Sequence, residues 1–110
     1  MKNLIIILCI ILAGCKTLGD VRQNKPSLVF ESNKTVNSVS ECILYGWENE
    51  KDILGVPFGV FIQPFPNGKT VYVNSNIAVA DVINDEGERT LIKLYLPKYD
   101  IWLPTVKGCI

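Results

Sequence analysis

Three kinds of side chain in these 110 residues could do chemistry: thiols at Cys9, Cys15, Cys42 and Cys109, two runs of carboxylates, and one carboxylate set in an apolar stretch. Histidine is absent, which excludes any histidine-dependent triad. A serine nucleophile with a lysine base would need proximity, and Ser38, Ser40 and Ser75 all fall at cap or turn positions. "WENEKD" groups Glu48, Glu50 and Asp52, and "DEGE" groups Asp85, Glu86 and Glu88. Paired carboxylates could cleave a glycan if one were held protonated in a cleft, but both runs read as solvated turns. Asp81, in Ala80-Asp81-Val82, is the odder residue. An unpaired buried charge is costly, so it is expected to point outward from an alternating strand or to cap a neighbouring backbone. There is no phosphate-cradling glycine loop, dinucleotide fingerprint or calcium-loop spacing. The reading is of a non-enzymatic chain with no catalytic residue, no metal and no cofactor.

The thiols take their meaning from the elements around them. The chain opens MKN and runs LIIILCIILAG to Cys15, with one cation, a short apolar run and small residues before a break. This is the layout of a secretory signal peptide. A spanning helix needs about 20 apolar residues for roughly 30 Å of hydrocarbon, whereas Leu4 to Gly14 gives eleven before Lys16. A soluble helix with one wet face would show polar residues at the helical period, and Leu4 to Leu12 shows none.

Leu12-Ala13-Gly14-Cys15 resembles the lipobox of bacterial lipoproteins. The resemblance implies a diacylglyceryl thioether on Cys15, cleavage between Gly14 and Cys15, and an acylated (palmitate-type) amino terminus. It divides the chain into residues 1–14 as signal peptide, 15–37 as lipidated N-terminus and flexible tether, and 38–110 as a small domain. Cys9 follows Leu8, lacks the small neighbour and would leave with the signal. Two or more acyl chains hold a protein at a membrane where one would not. Lys16 after the cysteine, rather than an aspartate, favours the outer membrane in a Gram-negative host; in another host the site is the exported face of the cell membrane. With Cys15 so used, Cys42 and Cys109 remain, an even number in an exported chain, which suggests one disulfide. Two thiols without histidine are a poor zinc site, since zinc takes four ligands.

Removal of Lys2 with the leader leaves ten cations against eleven anions. That balance, without a basic cluster, argues against a nucleic-acid partner. Residues 16–37 are mostly polar and broken by Pro26, and as a coil would reach roughly 25 Å. Leu28-Val29-Phe30 is the exception, a short strand or apolar segment packed on the domain. Ser38 with Glu41 fits a capping box, and Val36, Val39, Ile43 and Trp47 recur at helical spacing with Cys42 beside them, so Cys42 is expected to face the core. Gly46 weakens that helix. Strands follow at Phe58–Phe65, Lys69–Val73, Ile77–Ile83 and Arg89–Leu96, with Asn67-Gly68 as a hairpin turn. Pro64 and Pro66 mark the first as an edge or a bulge. The expected fold class is α+β, one N-terminal helix on an antiparallel sheet of three to four strands, tied by the disulfide. Between Pro97 and Pro104, "KYDIWL" is a short strand or loop, and Tyr99 and Trp102 are its candidate partner-surface anchors.

"CILYGWEN", "FPNGKTVYV", "IAVADV", "LIKLYL" and the closing Cys109 together resemble small single-domain exported lipoproteins of unassigned activity. The resemblance covers about residues 38–110 and implies fold and location only. Three function classes follow as expectations. The first is a lipid-anchored envelope lipoprotein that binds another envelope protein or acts structurally. The second is a phage- or plasmid-derived superinfection- or entry-exclusion lipoprotein. The third is a peptidoglycan-related enzyme or inhibitor.

Overall fold

The structure is a computed structural model that describes residues 17–96 and 101–110. Its order is α1 (Leu18–Gln23), β1 (Leu28–Ser32), α2 (Val36–Glu48), β2 (Val60–Phe65), β3 (Gly68–Val73), a short 3-10 turn (Asn74–Asn76), β4 (Val79–Asp85), β5 (Arg89–Tyr95) and α3 (Leu103–Cys109). The α+β class stands, with five strands and three helices among the described residues where a single helix and three to four strands were expected. Strands β2 to β5 form an antiparallel meander, and β1 joins beyond β5 to give the order β1-β5-β4-β3-β2.

The extra strand comes from Leu28-Val29-Phe30, the apolar exception in the segment otherwise read as a tether, which packs on the domain as a short strand. Leu28 pairs with Leu94 and Phe30 with Ile92, so two of the three apolar side chains of β1 extend the core face of the sheet. Ser27 Oγ bonds both the N–H and the carbonyl of Leu96, and Thr90 Oγ1 donates to the Lys34 carbonyl at 2.6 Å. Strand β1 is therefore clamped beyond both ends. The extra helix also has a local cause: Thr17 Oγ1 accepts from Asp20 N–H while Asp20 Oδ2 accepts from Thr17 N–H, a closed capping box.

Helix α2 starts earlier than expected. Its N-cap is Thr35, whose hydroxyl accepts from Ser38 N–H at 3.1 Å, so Ser38 lies inside the first turn. Val39, Ile43 and Trp47 are fully buried against Val71, Val73, Ala80, Val82, Ile92 and Leu94. Cys42 is exposed rather than core-facing, while its partner Cys109 is buried. The bond between them ties α2 to α3, with Cα atoms 5.7 Å apart. The C-terminal segment, for which a short strand or loop and no helix were expected, turns into α3, with Pro104 in its first turn where a missing N–H costs nothing. Gly46 is the crossing point: a Cβ there would collide with the Thr105 side chain of α3.

The β2–β3 turn shifts by one residue from the expected Asn67-Gly68. Phe65 pairs with Gly68, leaving Pro66 and Asn67 as the turn, with Asn67 at φ 60°. Proline followed by a positive-φ residue is the type II pattern. Gly68 then belongs to β3, where a side chain would strike the Val82 carbonyl oxygen. Pro64 lies on the edge strand β2, where proline is tolerated.

Candidate functional site

The carboxylates singled out by type do not converge. Glu48 is exposed on α2, Asp52 builds a surface turn, and Glu86 and Glu88 flank Gly87 (φ 95°) in the exposed β4–β5 turn. Among the described residues no three or more His, Cys, Asp or Glu side chains come together as a metal site.

Asp81 is different, and its predicted exposure is corrected. It is 1% exposed. Its register partners are Thr70 on β3 and Lys93 on β5, so it does point away from Ala80, Val82 and the α2 core. On that second face, however, the Arg22 side chain of α1 reaches over it. Arg22 donates from Nε to Oδ2 and from Nη2 to Oδ1 of Asp81, both at 2.9 Å. The Nη2 group also reaches Thr70 Oγ1 at 2.8 Å, and Thr70 Oγ1 donates to Asp81 Oδ1 at 2.6 Å. The guanidinium lies 4.4 Å from the centroid of the Phe65 ring, within cation–π range. A planar fork against a carboxylate is the geometry in which arginine outperforms lysine.

The electrostatics follow from this closure. The Asp81 hydrogen bond raises the Arg22 pKa against the opposing effect of burial. Burial raises the Tyr95 phenol above its usual value, with the Asp81 charge adding to the rise and Arg22 opposing it. Three hydrogen bonds reach the two oxygens of Asp81, two of them from Arg22, so the carboxylate serves to hold α1. Sequence reasoning missed Arg22 because it lay in the supposed tether. Two signals could have found it: Thr17 three residues before Asp20, and an Asp81 that needed a cation.

Trp102, read as a surface anchor, is corrected to a core residue, 4% exposed. Its ring meets Trp47 edge-on at 5.7 Å and Phe58 at 5.1 Å, and its carbonyl accepts from Trp47 Nε1 at 2.9 Å. Aromatic area of this size is better spent inside a small domain than on its surface. Tyr99, Cys15, Cys9 and the whole leader lie outside the described residues. No helix among the described residues is long and apolar enough to cross a membrane.

Depressions on the surface are shallow. One of about 250 Å³ lies beside α1 between Val21, Lys25 and Tyr95, and another of about 470 Å³ is lined by polar residues including Asn37, Asn84 and Glu88. Ser27 and Lys25 both line the first, and the Ser27 hydroxyl is bonded to the Leu96 backbone. No protein-family model matches the chain, and no curated protein or solved structure matches it either.

Proposed function

We propose that this protein is a lipid-anchored envelope lipoprotein, held by acyl chains on Cys15, that acts as a non-enzymatic binding or structural module toward another envelope protein. The observation that carries the reading is the lipobox Leu12-Ala13-Gly14-Cys15 set behind a short apolar run. Two structural features support it. The Cys42–Cys109 bond suits an oxidising, exported location, and the most unusual carboxylate, Asp81, is committed to structure. In a Gram-negative host, Lys16 after the anchor favours the outer membrane.

Arg22 changes how such an anchor would work. With α1 latched to the sheet, only Lys16 separates Cys15 from the helix cap Thr17. The domain would then ride against the bilayer, in place of the reach that a coil of some twenty residues would give. Fractionation tests the reading: wild-type protein partitions with membranes and resists salt extraction, while Cys15→Ala becomes extractable. A Cys15→Ala variant as firmly bound as wild type would overturn it.

A further inference from the structure

The segment between α2 and β2 carries the most exposed aliphatic side chains of the described residues. Ile53 is 101% exposed, Leu54 83% and Val56 54%. These aliphatics are displayed by a built turn. Asp52 Oδ1 accepts from the N–H groups of both Leu54 and Val56 at 2.9 Å, Asp52 N–H donates to the Val56 carbonyl, and Gly55 N–H donates to the Asp52 carbonyl. Gly55 supplies the positive φ (80°) that closes the turn. Below it, Lys51 bridges Pro57, and Phe58 N–H bonds the Glu50 carbonyl, fixing the base. A small domain does not gain stability by holding three aliphatics in water, since burial is where such side chains contribute.

We infer that Ile53, Leu54 and Val56 form a membrane-insertion tip that enters the acyl region of a neutral phospholipid leaflet. The inference rests on the anchored reading above. If Cys15 is acylated, the latched α1 leaves one residue between the anchor and the folded domain, so a bilayer lies permanently within reach of convex features on the domain. Shape and charge choose the occupant. A convex, purely aliphatic tip needs no complementary pocket in a fluid acyl phase. Around it Glu48, Glu50 and Asp52 outnumber Lys51, a balance that repels anionic headgroups, so insertion is driven by apolar area and favours zwitterionic lipid.

The test uses the full chain, recovered from membranes and reconstituted into phosphatidylcholine vesicles, with Leu54 replaced by a dansyl-bearing amino acid. A second protein carries the dansyl group at Glu88, in the turn at the opposite end of the strands. Flotation of wild type against Cys15→Ala reads the anchor, and quenching by brominated acyl chains reads the tip. The expected result is flotation with quenching of about two-fold or more at position 54 and little at position 88. Flotation without quenching at 54 overturns insertion and leaves the anchor standing. If wild type and Cys15→Ala float alike, the anchor reading fails, and the position-54 signal still decides the tip: unquenched, it overturns insertion. A blue-shifted but unquenched probe places the tip against protein and overturns the lipid assignment, as does quenching that requires added phosphatidylglycerol.

Discussion

Arg22 and Asp81 are separated by 59 residues and meet in a two-point ion pair on the face of the sheet opposite α2, with both contacts at 2.9 Å. The carboxylate is almost fully buried and the arginine side chain is about a quarter exposed. A six-residue helix has too few hydrogen bonds to persist alone, and α1 has no fully buried residue. The pair is therefore what decides whether α1 is docked.

Removing either partner should release α1. Leaving one member of a buried pair uncompensated costs about 3–5 kcal/mol, and undocking lets water reach the survivor, which limits the loss to about 2–3 kcal/mol or less. For both Arg22→Ala and Asp81→Ala, amide exchange across Leu18–Gln23 should approach that of an open chain while β3, β4 and β5 stay protected. Retained protection of α1 in either variant would show that other contacts hold it.

The disulfide closes 67 residues between α2 and α3. On the chain-entropy model such a loop stabilises by about 4 kcal/mol, a large share for a small domain. Reduction, or Cys42→Ser with Cys109→Ser, should lower the urea midpoint accordingly. An unchanged midpoint would mean that the unfolded chain is already constrained.

Gly46→Ala should destabilise although alanine is the better helix former. The new methyl meets Thr105 Cγ2 where α2 crosses α3. Overpacking costs about 1–3 kcal/mol against about 1 kcal/mol gained in propensity. Combining it with Thr105→Ser, which removes the colliding methyl, should recover most of the loss. Thermal unfolding of Gly46→Ala, Thr105→Ser and the double variant checks the sign.

Tyr95 sets an alkaline limit. Its folded pKa is raised by burial, so the unfolded chain releases the phenolic proton first. Stability is then full below the ordinary tyrosine pKa and declines as pH rises through about 10. Tyr95→Phe should flatten this limb in denaturant midpoints measured across the range, and an unaltered limb would assign it to other groups.

Much of the meander was legible because Ile92, Leu94 and Leu96 alternate with polar neighbours and Gly87 punctuates the turn after β4. Helix α2 was legible from Val39, Ile43 and Trp47, though its cap was misplaced because Ser38–Glu41 and Thr35–Ser38 are both plausible starts at three-residue spacing. The Asn67-Gly68 signal pointed to the right hairpin in the wrong register. There glycine answers a close approach by Val82, a long-range contact that local turn chemistry does not encode. Trp102 was misplaced because it caps α3, a seven-residue helix with too little periodicity to read, and its ring packs on Trp47 and Phe58. Asp81 was misplaced because its partner Arg22 sits on α1, six residues long and no more legible. The Cys42–Cys109 pairing followed from parity once Cys15 was set aside, whereas the exposure of Cys42 depends on how α3 approaches α2.

The state of Cys15 decides whether this is an anchored protein, and the N-terminal peptide of protein recovered from bacterial membranes reads it directly by mass. The expected product is a chain beginning at Cys15 whose first residue carries diacylglyceryl and amide-linked acyl groups, with the ester-linked chains lost on mild alkaline hydrolysis. A chain that begins elsewhere, or that begins at Cys15 with a free thiol, would contradict it.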